Sequence, residues 1–106
     1  MYSRETAIDY SKKFLESCKQ LQIKIDKAIL FGSVVEGKNH EYSDVDLALF
    51  SDSFSDNIIE NIQLVSKVAS GFYDLDIKTY NTKYFYSGEG LLLDEIKQTG
   101  IEVKID

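Results

Sequence analysis

Proline and tryptophan are absent from this 106-residue chain, and arginine, histidine, cysteine and methionine occur once each. With no Pro-rich, Gly/Ser-rich or repetitive stretch there is no linker to divide it, so residues 1–106 are expected to fold as one domain with a real but modest core. A single cysteine, Cys18, excludes an internal disulfide and agrees with a reducing compartment. No apolar run approaches the roughly 20 residues that cross a bilayer, and no signal segment opens the chain. A cytoplasmic setting with no membrane partner is therefore expected. Basic residues are in deficit, 12 against 18 acids for a net charge of −6. That balance argues against direct nucleic-acid binding, whose non-specific affinity comes from basic residues neutralising phosphates. Arg4, the only arginine, leaves planar bidentate phosphate recognition nearly unavailable. His40, the only histidine, lies in the polar loop Lys38-Asn39-His40-Glu41-Tyr42 and reads as a solvated residue.

What is present is concentrated in one segment. An apolar run, Ala28-Ile29-Leu30-Phe31, feeds the turn Gly32-Ser33; ten residues later comes Asp44-Val45-Asp46-Leu47-Ala48-Leu49-Phe50. Both flanks read as strands. In an extended strand Asp44 and Asp46 project from one face while Val45, Leu47 and Leu49 take the other. Two carboxylates on one face repel unless a cation neutralises them, and their hard oxygens suit Mg²⁺ or Mn²⁺ together with substrate phosphates. Such ions assist in-line phosphoryl displacement. A glycine lets backbone approach a triphosphate, and Ser33 adds a hydroxyl donor. The plainer alternative is a common turn dipeptide followed by a solvated strand face.

These residues resemble the minimal nucleotidyltransferases of the DNA polymerase beta-like superfamily, whose signature is Gly-Ser-x10-Asp-x-Asp. Phe31-Gly32-Ser33, Gly37 and Ser43-Asp44-Val45-Asp46-Leu47 fall where that pattern places them. The resemblance implies an α/β nucleotidyltransferase fold, with Asp44, Asp46 and a third carboxylate as catalytic and metal-binding residues. It also implies nucleotide binding at Gly32, Ser33 and Lys38. Tyr73-Asp74-Leu75-Asp76-Ile77-Lys78 offers two acids for the third place; Asp76 is preferred for its flanks and exit segment, with Asp74 in reserve. Family members commonly carry an arginine where this chain has Glu36, so phosphate contacts would fall to lysines such as Lys38 and Lys78.

Periodicity supplies the layout. Ala7, Tyr10, Phe14, Cys18 and Leu21 recur at helical spacing from Arg4 to Leu21, with Cys18 in the core. Strands are expected over Ile25 to Phe31, Ser43 to Phe50 and Phe72 to Tyr80. Asn57 with Glu60 reads as a capping box for a helix closed by Gly71. A loop over Asn81 to Gly88 and a helix over Leu91 to Gln98 follow, then an edge strand with Ile101, Val103 and Ile105. This order predicts a small mixed β-sheet with helices packed on one face. The aromatic run Tyr84-Phe85-Tyr86 is either packing or a partner surface.

Two functions follow as expectations. One is an enzyme moving AMP from ATP, or another NTP, to a hydroxyl; the resemblance implies a helical HEPN-type partner protein as acceptor, the domain being the antitoxin of a toxin–antitoxin pair. The other is a catalytically weak or inactive domain that blocks such a partner by occlusion.

Overall fold

In the computed structural model, which describes residues 2–38 and 44–104, four strands and five helices succeed one another along the chain. They are α1 (Arg4–Gln20), β1 (Lys27–Phe31), α2 (Ser33–Glu36), β2 (Val45–Phe50), α3 (Ile58–Ala69), β3 (Leu75–Tyr80), α4 (Thr82–Ser87), α5 (Leu91–Thr99) and β4 (Ile101–Glu102). The sheet order is β3-β2-β1-β4. β1 pairs antiparallel with β2 and β4, and β2 pairs parallel with β3, which α3 makes possible as the crossover.

Local chemistry sets the helix starts. Ser3 caps α1, its hydroxyl accepting from the Thr6 N–H while the Thr6 hydroxyl accepts from the Ser3 N–H. Asn57 caps α3 by accepting from the N–H groups of Ile59 and Glu60. The expected capping box is only half made, because the Glu60 carboxylate accepts from the Ser55 hydroxyl, which in turn accepts the Asn57 N–H. Buried Asn61 completes this turn, exchanging two 2.8 Å hydrogen bonds with the backbone of Ser55.

The mixed sheet and the α/β class are as expected; the placing of the helices is not. One face carries Ala28, Leu30, Val45, Leu47 and Leu49 against Ala7, Phe14 and Cys18 of α1 and Val65 and Val68 of α3. The other carries Ile29, Phe31, Ala48 and Phe50 against Leu93 and Ile96 of α5, with Tyr84 and Phe85 of α4 alongside. Helices therefore cover both faces rather than one. The physical reason is legible in β1, whose four consecutive residues Ala28 to Phe31 are all buried, a pattern that belongs to strands covered on both sides.

The second face is unevenly covered. Along β2 the outward row runs Asp46, Ala48, Phe50, and along β3 it runs Asp76, Lys78, Tyr80. Aromatics seal one end: Tyr80 stacks on Phe50 at 5.3 Å and Tyr84 stacks on Tyr80 at 5.0 Å. Carboxylates occupy the other end.

Candidate active site

The turn after β1 brings the two halves of the sequence motif into contact. Gly32 has φ +80°, in the left-handed region, and a Cβ there would stand 2.2 Å from Asp46 Oδ2. Only glycine permits the carboxylate to lie against the turn. Ser33 opens α2 directly afterwards, and the Gly32 carbonyl accepts from the N–H groups of Val35 and Glu36. Gly37 ends α2 at φ +73° and Lys38 follows, exposed, its N–H donating to the Ser33 carbonyl.

Asp46 is opposite Phe31 on one side and Asp76 on the other. Parallel register thus sets two carboxylates side by side, close enough to share a hydrogen bond when Asp46 is protonated. Burial first, and then the negative charge of Asp76, push the Asp46 carboxyl up to about 6. Lys78, two residues along the same strand face, gives partial compensation with its Nζ 3.4 Å from Asp76 Oδ1. This pair is accessible, the Asp76 and Lys78 side chains being 42% and 44% exposed. Asp44, immediately before β2, is exposed and contributes a weaker charge to Asp46. Among the described residues no three His, Cys, Asp or Glu side chains close into a ready-made metal cluster. The close acidic pair is Asp46 with Asp76, and Asp44 stands at its edge.

Asp74 has a different occupation. Its carboxylate accepts a 2.7 Å hydrogen bond from the Tyr2 hydroxyl, and its N–H faces Tyr10 Oη at 3.4 Å. That bond to Asp74 is the main reason the Tyr2 phenol is pushed up to about 12. Asp74 therefore ties the start of β3 to α1, and the sequence held no local sign of a partner 72 residues away. Arg4 is likewise spent on structure, its Nε and Nη2 both donating to the Val35 carbonyl. Glu36 is exposed on α2, and His40 lies outside the described residues.

The nucleotidyltransferase domain model matches residues 11–104. The chain belongs to the nucleotidyltransferase domain family. Solved structures share the fold of this nucleotidyltransferase domain. A Sulfolobus solfataricus protein provisionally described as a nucleotidyltransferase is 15% identical, with TM-score 0.66 over 91% of this chain and 78% of its own. A toxin–antitoxin structure with AMP-PNP is 22% identical, with TM-score 0.62 over 92% of this chain and 72% of that one. A mutant of the toxin–antitoxin MntA–HpeT is 21% identical, with TM-score 0.61 over 88% and 71%. No curated protein matches at a significant level. Among the described residues no helix is long and apolar enough to cross a membrane.

Proposed function

We propose that this nucleotidyltransferase domain transfers AMP from ATP to a hydroxyl on a helical HEPN-type protein, the α–β phosphoanhydride breaking and pyrophosphate leaving, in the cytoplasm, as the antitoxin of a toxin–antitoxin pair. The observation that carries the proposal is the register pairing of Asp46 with Asp76 against Gly32, at the carboxylate end of the sheet. The similar folds of a toxin–antitoxin with AMP-PNP and of MntA–HpeT support the nucleotide and the setting.

The donor set fits Mg²⁺ or Mn²⁺. It offers hard carboxylate oxygens, and the raised Asp46 carboxyl marks a place short of positive charge. Asp46 and Asp76 would hold the ion, with Asp44 joining from the same strand face. When bound, the ion supplies Lewis-acid polarisation of the phosphoryl oxygens. Gly32 lets backbone approach the phosphates, and the Ser33 hydroxyl donates to them. Lys78 and Lys38 bring the cationic charge that arginine does not provide. Asp76, with its side chain 42% exposed, accepts the proton of the attacking hydroxyl.

The test is transfer of α-labelled AMP from ATP to a purified HEPN-type protein encoded beside this one. Wild type should label the partner, and Asp46→Asn or Asp76→Asn should lower the rate on the order of 10²-fold or more. A second reading is occlusion without catalysis, favoured by Glu36 at the arginine position. It predicts stable association with the partner, no labelling by wild type, and no effect of Asp46→Asn on association.

A further inference from the structure

A groove of about 530 Å³ lies at the opposite end of β1 from the carboxylates, between the end of α1, the segment leading into β1, and β4. Its apolar surface comes from Leu15, Ile23, Ile25 and Val103. Four lysines and two acids surround it, in a chain whose net charge is −6. Both acids are already engaged. Asp26 accepts from the Thr82 hydroxyl, the Asp52 N–H and Lys24, and Glu102 pairs with Lys27 at 3.4 Å. Lys24 remains 73% exposed, and Lys104 is exposed beside it on the rim.

The groove borders an open sheet edge. Among the described residues β4 is the last strand of the sheet, with β1 on one side only. The Val103 N–H donates to the Ala28 carbonyl at 2.8 Å, so Ile101 and Val103 direct their backbone groups at β1. By the alternation of an antiparallel ladder, Glu102 and Lys104 turn theirs outward. Outward N–H and C=O groups are a template for strand addition. The four lysines around the groove outnumber its two acids, which favours a segment of opposite charge as the occupant.

We propose that this edge and groove dock an extended segment of a partner protein in which apolar and acidic residues alternate. Apolar side chains enter the groove, acidic ones meet Lys24 and Lys104, and the backbone pairs with Glu102 and Lys104. The period of two in a strand makes that division possible. Docking here leaves Asp46 and Asp76 clear at the far end of the sheet. The inference deepens the partner part of the proposed function and rests on that reading only for the partner's identity.

The probe is a fluorescein-labelled peptide of alternating Val and Glu, eight residues long and blocked at both ends, titrated by anisotropy with the full chain. Saturable binding is expected, weakening at least tenfold in the double variant Lys24→Glu with Lys104→Glu and on N-methylation of alternate peptide bonds. Shifts of the Glu102 and Lys104 amide resonances should accompany it. Equal binding of a Val/Lys peptide, indifference to the charge reversals or the N-methylation, or no binding at millimolar peptide would overturn the proposal. So would an oligonucleotide competing at the same amides more tightly than the peptide. Binding of a nonhydrolysable ATP analogue with Mg²⁺ should be unchanged in the double variant. Its absence from wild type would instead count against the nucleotidyl-transfer reading, independently of the peptide result.

Discussion

Because Asp46 is held at about 6 by burial and by Asp76, the native state keeps a proton that the unfolded chain, titrating near 3.8, has released. Between those values the folded form binds more protons, so this contribution to stability is full on the acid side and is lost as pH rises through the window. Two pKa units correspond to about 3 kcal/mol, which solvent screening at a half-exposed site reduces to on the order of 1 kcal/mol. Asp46→Asn should abolish this part of the fall in stability between pH 4 and 7. It should also raise stability at pH 8 by on the order of 1 kcal/mol, read by urea denaturation in EDTA. A less stable variant would mark Asp46 as a structural hydrogen-bonding group. Gly32→Ala meets both a positive φ and the Asp46 carboxylate, and should cost about 2–4 kcal/mol in thermal denaturation. Gly37→Ala, with a similar φ and nothing within 4 Å, should cost only about 1 kcal/mol. At this scale the motif from Gly32 to Asp46 was legible because its residues are close in sequence. The choice between Asp74 and Asp76 rests on Tyr2 and on strand register, which no local pattern carries.

Among the elements, α4 separates two readings of the aromatic run. Tyr84 stacks on Tyr80 and fills the space over Gly88, whose Cβ would lie 2.2 Å from its ring, while Phe85 meets Phe50 edge-on. Both are packing. Tyr86 is 70% exposed, whereas Tyr84 and Phe85 are half-buried. Tyr84→Ser should therefore lower stability by about 2–3 kcal/mol, and Tyr86→Ser by less than about 0.5 kcal/mol, in parallel chemical denaturations. Equal, small losses would return Tyr84 to the surface. The segment over Asn81 to Gly88 reads as a loop in sequence because aromatic and β-branched residues are modest helix formers. The Asn81 cap and packing on Phe50 and Tyr80 make it a helix. The third strand likewise begins at Leu75 rather than Phe72, since Phe72 turns into the α1 core against Phe14. The last strand is paired at Ile101 and Glu102 with Val103 continuing the ladder, and Ile105 lies outside the described residues.

Over the whole molecule, the cation and nucleotide sites proposed above fall at one acidic end of the sheet, so on that reading each ligand should complete the other's site. Mg²⁺ with a nonhydrolysable ATP analogue should raise Tm by more than either ligand separately. A ligand at about 100 times its Kd contributes about 2.7 kcal/mol, and each kcal/mol is worth about 5 °C in a domain of this size. Differential scanning fluorimetry reads this directly. A shift with the analogue that EDTA leaves untouched would separate nucleotide binding from the carboxylates. The α/β class and mixed sheet were readable from periodicity, whereas the two-sided cover was not drawn from it. The continuous apolar run of β1 carried that information, and only the positions of α4 and α5 show what it was for.

The parallel pairing of β2 with β3 has a consequence for how the protein comes into being. Asp46 and Asp76 stand opposite each other, yet thirty residues of chain separate them, and a parallel pair closes only after its crossover is in place. The hairpin-like contact of β1 with β2 needs no such wait. A nascent chain can thus display Gly32 beside Asp46 while still lacking the second carboxylate, and it acquires the acidic pair only once β3 has emerged and docked. A partner arriving during synthesis would meet the Gly32-Ser33 turn before it met the paired carboxylates.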